Sequence, residues 1–331
     1  MFQPQHPIAQ KHEKIVSEEI KSMLADNVIE PCVDPKGWNS PVFIVEKSDG
    51  SPRFIVNFKR TLNMALTEED TFVMPSADEM LKSIGIGNKF FGALDFKSGY
   101  WQIGLDKKDR HKTSFCWKGR NYQFCRIPFG LKTSGNIFSR AVNTALSDVS
   151  TKPGFKLYVD DVFLHCKTFD EYFSLLQQVL QGCVKYNIKM SGKKCKILVT
   201  EAVFLGRNIT STGYEPIPDY VQGISDMPAP TSRVKLQRLI GRLVWVRSHL
   251  EARLDDPVAD RSFASLIKPM SAILREKRFI WTQKAQRAFD FSKERLKSAP
   301  TFRFADFDRP FIAIFTLPEF FISLRNVILA K

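Results

Sequence analysis

Two adjacent aspartates interrupt an apolar stretch near the middle of this 331-residue chain. Asp160 and Asp161 close the string YVDD at 158–161, between the apolar runs 155–157 and 162–164. The pattern predicts a β-hairpin with the acids at its bend. Neighbouring carboxylates in a half-buried strand are costly unless a cation offsets their charge. A divalent metal ion is therefore the natural candidate.

The composition limits the class of protein and of partner. A net charge of +14 and a hydrophobic content of 44% indicate a globular chain with a polyanionic partner, such as nucleic acid or an anionic membrane surface. Residues 1–30 lack an apolar core of the signal-peptide type, and Pro318, Glu319 and Arg325 interrupt the most apolar tract. The six cysteines form neither a C-x-x-C pair nor a zinc pattern with histidine. We predict an intracellular protein, cytoplasmic or nuclear, that is not secreted and has no membrane partner.

Strands and helices are mixed along the first two thirds of the chain, without regular alternation. Residues 11–30 carry a helical apolar stripe, and Asp49-Gly50 predicts the turn of a hairpin over 41–56. Thr168 and Glu171 fit a capping box for a helix that reaches about residue 186. The other predicted elements are a helix over 76–84, a strand ending at Asp95, a hairpin over 113–126 and a helix from Ser134 to Leu146. This order predicts an α+β fold.

The composition changes from Thr210 onward. Prolines at 216, 218, 228 and 230 predict a linker, and Thr231 begins a basic amphipathic helix that extends to about Leu250. Residues 231–300 contain 16 Lys and Arg against 7 Asp and Glu, so the positive charge is concentrated there.

A third acid extends the aspartate pair into a candidate metal site. If the strand that ends at Asp95 neighbours the hairpin of Asp160, three carboxylates meet at one edge of a sheet. Carboxylates without a His or Cys pattern favour Mg²⁺ or Mn²⁺ over zinc. Two such ions serve in-line phosphoryl transfer. An Asp-Asp pair alone is more often a solvated turn, so its context decides.

That context is a series of strings in the order and spacing of one polymerase family. They are NVIEP at 27–31, SPV at 40–42, the hairpin from Lys47 to Arg53, LDFKSGYWQI at 94–103, PFGL at 128–131, YVDD at 158–161 and FLG at 204–206. Over about residues 10–315 the chain resembles the reverse transcriptases of gypsy-type (Metaviridae) LTR retrotransposons. The resemblance implies a right-hand polymerase that extends a primer with dNTPs on an RNA or DNA template. It also implies location in a cytoplasmic virus-like particle as one alternative.

The resemblance assigns roles to the residues around the acids. Asp95 and Asp160 would hold two Mg²⁺ or Mn²⁺ ions, with Asp161 in support. A large ring beneath the sugar would reject a 2′-hydroxyl and so select dNTPs. The nucleotide-binding residues would be Lys47 and Arg53 for the triphosphate, Tyr100 for the sugar, and Phe129 and Gly130 for the shape of the pocket.

Contacts to nucleic acid are implied farther along the chain. Leu205 and Gly206 would form the primer grip, where glycine permits close approach of the backbone to a strand. A basic thumb helix would follow the duplex phosphates. Its contact residues would be Arg233, Lys235, Arg238 and Arg242.

The chain also departs from the family pattern. Val56 to Asn63 replaces "VDYRxLN" with one extra residue and no acid, and Lys132 to Gly135 replaces the commoner "CNAP". Leu317 stands where the family has the first RNase H carboxylate, and the chain reaches Lys331 before the others, so we predict no RNase H activity.

The resemblance implies three regions: fingers and palm over 10–208, thumb and connection over 209–275, and a truncated RNase H-like segment over 276–331. A catalytically decayed or repurposed nucleic-acid-binding protein is the main alternative to an active polymerase. An RNA-directed RNA polymerase is a third, against which Tyr100 argues. The sequence leaves the oligomeric state open.

Overall fold

The computed structural model describes residues 1–46, 50, 52–67, 76–250, 262–297 and 302–304. They form two compact units, residues 1–80 with 91–198, and residues 81–90 with the chain from Val199 onward. Both units mix helices and strands, as the sequence predicts. No helix within these ranges is long and apolar enough to cross a membrane.

The first unit is built on small sheets and their covering helices. Its strands are β1 (Ile29–Pro31), β2 (Val42–Glu46), β3 (Pro52–Val56), β4 (Phe90–Asp95), β5 (Phe115–Trp117), β6 (Arg120–Phe124), β7 (Phe155–Tyr158), β8 (Asp161–Cys166) and β9 (Lys196–Val199). Its helices are α1 (Gln10–Ala25), α2 (Leu62–Ala65), α4 (Ser134–Ala145), α5 (Ser147–Ser150) and α6 (Phe169–Lys185), while α3 (Ala77–Lys82) crosses the boundary of the units.

The first helix is shorter than its apolar stripe predicts. It ends at Ala25, and Asn27 adopts a left-handed φ of 53°. Ile29 then pairs with Phe124 of β6 instead of continuing the helix. Because asparagine tolerates positive φ, the chain can turn here and bury Ile29 in a sheet. The three-stranded order is β1-β6-β5, and α1, β2 and β3 contribute to the same core.

A second sheet carries the predicted acids. Its strand order is β7-β8-β4-β9, so the strand that ends at Asp95 lies beside the hairpin of Asp160. Phe91 of β4 stacks on Phe163 of β8 with ring centroids 5.9 Å apart, and both rings are fully buried. Helix α6 covers this sheet and begins with the predicted Thr168–Glu171 capping box. Apolar packing between β4 and β8 therefore helps to fix the positions of the acids at the ends of these strands.

The second unit contains a four-stranded sheet and a helical cluster. Its strands, in sheet order, are β10 (Ala202–Phe204), β11 (Arg207–Ile209), β12 (Gly213–Pro216) and β13 (Phe302–Arg303). Its helices are α7 (Pro218–Ser225), α8 (Arg233–Trp245), α9 (Arg247–Leu250), α10 (Phe263–Ile273) and α11 (Gln283–Lys297). The predicted linker is wrong, because β12 and α7 occupy its first half and Pro218 takes the first helical turn, where proline needs no N–H.

The basic helix is also shorter than predicted. It spans Arg233–Trp245 and breaks at Val246 before the single turn α9. Two features favour the break: Trp245 lies between two β-branched valines, and its carbonyl accepts a hydrogen bond from the Arg207 guanidinium. Leu236, Leu239 and Leu243 form the buried stripe of α8 and pack into the core of the helical cluster.

Candidate functional site

A two-residue turn presents the aspartate pair. Tyr158 pairs with Asp161 across β7 and β8, which leaves Val159 and Asp160 at the tip. Val159 has a φ of 56°, a left-handed conformation that is strained for a β-branched side chain. Its carbonyl accepts a hydrogen bond from the Ser139 hydroxyl of α4 at 3.3 Å. The tight turn places Asp160 and Asp161 together at the end of the hairpin.

Replacing Val159 with glycine should raise the free energy of unfolding by about 1 kcal/mol, because glycine adopts positive φ without a steric penalty. Chemical denaturation measures the change. Val45→Gly is the control, since Val45 lies in the extended strand β2 and its loss should lower stability by about 0.5–1 kcal/mol. Equal losses in both variants would show that the turn is unstrained.

Asp95 is held from a neighbouring loop. Its carbonyl accepts a hydrogen bond from the Ser191 N–H at 2.8 Å, and its N–H donates to the Cys195 sulfur at 3.4 Å. The same loop brings the Lys194 ammonium to 3.5 Å from Oδ1 of Asp95. That oxygen is buried and accepts no hydrogen bond from the residues described. Asp95 therefore offers an oxygen that a cation can satisfy.

The three carboxylates interact electrostatically. Asp160 and Asp161 are exposed, but surrounding protein atoms remove part of their hydration, and this desolvation raises the pKa of each. The Asp95 charge raises the pKa of both further, and the Asp160 charge also raises the pKa of Asp161. Lys194 acts in the opposite direction on the pKa of Asp160. The site thus favours added positive charge.

Hard oxygen donors and unbalanced negative charge fit a divalent cation such as Mg²⁺. Asp95 supplies the unsatisfied oxygen, and Lys194 already places one positive charge beside it. Within the described ranges, no three Asp, Glu, His or Cys side chains stand close enough together to enclose an ion by themselves. The donor chemistry fits, and the remaining ligands would come from water or substrate oxygens.

Tyr100 lies beside the acids on a 3₁₀ turn, Gly99–Gln102. Its ring centroid is 4.9 Å from that of Phe129 and 5.7 Å from that of Phe138. Burial raises the pKa of the Tyr100 hydroxyl, and the charge of Asp160 raises it further. A Cβ at Gly99 would lie 2.8 Å from the Phe138 ring, so glycine permits this close packing. The structure therefore brings together Tyr100, Phe129 and the aspartates.

The Gly130 backbone is clamped by Asn63. The Asn63 amide donates to the Gly130 carbonyl at 2.8 Å and accepts from the Lys132 N–H at 3.0 Å. Gly130 has a φ of +94°, which favours glycine, and Phe129 is 47% exposed beside it. Asn63 thus fixes the loop that carries both predicted pocket residues.

The predicted triphosphate contacts lie on another sheet. Arg53 is exposed on β3, which pairs only with β2 among the strands described, and Val45 is its cross-strand partner. Outside this backbone pairing, the Arg53 guanidinium forms no ion pair or hydrogen bond with any residue the structure describes. Lys47 lies outside the described residues. Arg53 is available to a ligand, and its role stays a prediction.

A tight turn in the second unit holds the predicted primer grip. Phe204 pairs with Arg207, so Leu205 and Gly206 form the turn, with φ of 49° and 68°. A Cβ at Gly206 would lie 2.7 Å from the Trp245 ring. The Arg207 guanidinium lies 5.2 Å from the centroid of the Trp245 ring and donates to the Trp245 carbonyl. The turn is therefore fixed against the end of α8.

Gly206→Ala should lower the free energy of unfolding by about 1–3 kcal/mol, because the added methyl group meets Trp245 in an already left-handed backbone. Thermal and urea unfolding measure the loss. Gly241→Ala is the matched control, since a Cβ there has no neighbour within 4 Å in the helix interior, and it should stabilise by about 0.5–1 kcal/mol. Unchanged stability of Gly206→Ala would contradict the close approach.

Three of the four predicted thumb residues share one groove. Lys235, Arg238 and Arg242 line a cavity of about 680 Å³ together with Tyr220 and Trp245. Their spacing in the sequence places them on one face of α8. Arg233 instead donates a hydrogen bond to the carbonyl of Glu276. The structure thus forms a basic groove with aromatic walls from three of the four cations.

Several residues escaped the sequence prediction. Lys194 and Asn63 act through contacts with Asp95 and Gly130 that are distant in sequence, and no local pattern marks them. Arg207 directly follows the predicted string FLG, and Trp245 lies within the predicted basic helix, between Arg242 and Arg247. A tryptophan among cations was the available signal in the sequence.

Known proteins resemble the chain in sequence. The family model of the reverse transcriptases (RNA-dependent DNA polymerases) matches residues 45–209. The Pol polyprotein of transposon 297 from Drosophila melanogaster is 29% identical over 94% of this chain and 29% of its own length. That of transposon gypsy is 32% identical over 78% of this chain and 24% of its own length. The chain thus spans about a quarter of these relatives.

Solved structures resemble it in fold. The foamy viral protease-reverse transcriptase dRH in complex with double-stranded DNA has a TM-score of 0.79 and 23% identity, covering 92% of this chain and 51% of that one. Its complex with an RNA/DNA hybrid gives a TM-score of 0.79 and 22% identity, covering 91% and 39%. The predicted right-hand polymerase fold is confirmed.

Proposed function

Because the chain belongs to the reverse transcriptase family of the gypsy-type retrotransposon Pol polyproteins, we propose that it extends a primer 3′-end with dNTPs on an RNA or DNA template. The observation that carries the proposal is the position of Asp95 beside the Asp160 hairpin, with Tyr100 and Phe129 next to it. In the reaction, the 3′-oxygen forms a bond to the α-phosphorus and pyrophosphate leaves.

Asp95 and Asp160 would hold two Mg²⁺ or Mn²⁺ ions, with Asp161 beside them. When bound, the ions supply the positive charge that phosphoryl transfer requires. Asp95 ends β4, Asp161 begins β8 and Asp160 lies in the turn before it, so the three negative charges stand at one end of the sheet before substrate arrives. Lys194 would yield its place at Asp95 to the ions, since its side chain is 69% exposed and its ion pair is weak.

The other predicted residues would position the nucleotide and the strands. Tyr100 and Phe129 would enclose the sugar, with Gly130 permitting close approach. Arg53, and Lys47 outside the described residues, would bind the triphosphate through charge-assisted hydrogen bonds. Leu205 and Gly206 would support the primer, and the α8 groove of Lys235, Arg238 and Arg242 would bind duplex phosphates.

Primer extension on poly(rA)·oligo(dT) with labelled dTTP and Mg²⁺ or Mn²⁺ tests the proposal. We expect template-dependent incorporation that EDTA abolishes. The rival function, a decayed binder, predicts a shift of primer–template in a gel without incorporation. If well-folded protein incorporates no dTTP with either ion, the polymerase proposal is overturned. Retained binding of primer–template would then favour the rival.

We propose the same regional roles for the chain as the resemblance implies, with fingers and palm over 10–208, thumb and connection over 209–275, and an RNase H-like segment over 276–331. We also propose that RNase H activity is absent, because Leu317 replaces the first carboxylate. Leu317 lies outside the described residues. Degradation of the RNA strand in a labelled hybrid would contradict this.

A further inference from the structure

An apolar stripe runs along the exposed side of α6. Phe173, Leu176, Leu180 and Val184 follow one another at intervals of three or four residues, and we call them the apolar α6 face. Phe173 is 56%, Leu180 42% and Val184 81% exposed. The helix already buries Tyr172, Leu175, Val179 and Cys183 against the first unit. The exposed stripe is therefore a second apolar surface, beyond the one that folding requires.

The apolar α6 face borders a shallow groove of about 560 Å³. Among the residues that the structure describes, only those of α6 line this groove, including Gln177 and Gln181. Phe169 stacks on Phe173 at its beginning, with ring centroids 6.0 Å apart. An apolar helix face with room beside it suits another amphipathic helix.

The charges along α6 favour one orientation of such a partner. Asp170 lies in the first turn and Lys185 in the last, both exposed, and the two glutamines lie between them on the same flank. Gln177 is the midpoint of Phe169–Lys185. A second α6 in antiparallel orientation about Gln177 would place each Asp170 opposite a Lys185. Antiparallel helix dipoles also attract each other at both ends.

We propose that the apolar α6 face pairs two copies of this chain through antiparallel α6 helices related by a two-fold axis. Because one flank of α6 carries both an acid and a base, two copies of the same helix can pair their opposite charges. The 17-residue helix is about 25 Å long. One helix of this length makes a small interface, so we expect weak association, in the micromolar range.

Sedimentation velocity of the full chain at about 1–100 µM tests the proposal. We expect a concentration-dependent shift from monomer to dimer. Val184→Glu should weaken dimerisation at least about tenfold, because the symmetric interface contains the substituted position twice. Val33→Glu is the matched control: Val33 is 98% exposed outside α6, and its dimerisation should equal that of the wild type. A wild-type monomer throughout, or equal effects of both variants, would overturn the proposal.

A charge exchange tests the orientation. Asp170→Lys and Lys185→Glu should each weaken dimerisation, and the double variant should recover it, because the opposite charges then face each other again. Circular dichroism and Tm show whether each variant remains folded. If the single variants dimerise more weakly and the folded double variant does not recover dimerisation, the antiparallel arrangement is overturned.

Discussion

Asp160→Asn should lower primer extension at least about a thousandfold, because it removes a carboxylate that the proposed metal site requires, and a loss of several kcal/mol corresponds to that factor. Single-turnover incorporation of dTTP at saturating Mg²⁺ measures the loss. Asp148→Asn is the control, since Asp148 is an exposed acid in the one-turn helix α5. It should retain full activity. Unchanged incorporation by Asp160→Asn would place catalysis elsewhere.

The same substitution should not destabilise the protein. Desolvation and the Asp95 charge raise the pKa of Asp160 in the folded chain. Ionisation therefore opposes folding: stability falls as the pH rises from the unfolded to the folded pKa, and the full penalty is present above both. Asp160→Asn should raise the free energy of unfolding at about pH 7 and change it little at about pH 3. A loss of stability at neutral pH would contradict the electrostatic description of the site.

Tyr100→Ala should admit ribonucleotides, lowering the preference for dTTP over UTP by at least about tenfold, because the ring proposed to contact the sugar is removed. The ring also packs on Phe129 and Phe138, so total activity should fall as well. The ratio of kcat/KM for the two nucleotides is the measurement, since it is independent of the fraction of active protein.

Tyr100→Phe is the matched control for this substitution. It keeps the ring at 4.9 Å from Phe129 and removes only the hydroxyl, so sugar discrimination should remain close to that of the wild type. If both variants discriminate as well as the wild type, Tyr100 is a packing residue. If Tyr100→Phe loses discrimination to the same extent as Tyr100→Ala, the hydroxyl and not the ring selects the sugar.

Local pattern accounts for much of the fold. The Thr168 capping box, the strand that ends at Asp95 and the hairpin at Asp160 agree with the structure, because each depends on residues within a few positions. The predictions failed where a distant partner decided. Ile29 leaves the helical stripe to pair with Phe124, and Val246 ends α8 where Trp245 accepts from Arg207.

The sequence by itself determined the α+β class, the polymerase family and the residue types of the candidate site, because order and spacing of short strings are local properties. Only the tertiary structure decided that Asp95 lies beside the Asp160 hairpin, that Lys194 offsets its charge and that Asn63 clamps Gly130. It also separated Arg233 from the groove of the other three cations. These contacts join residues far apart in the chain, and strand order and side-chain packing set them.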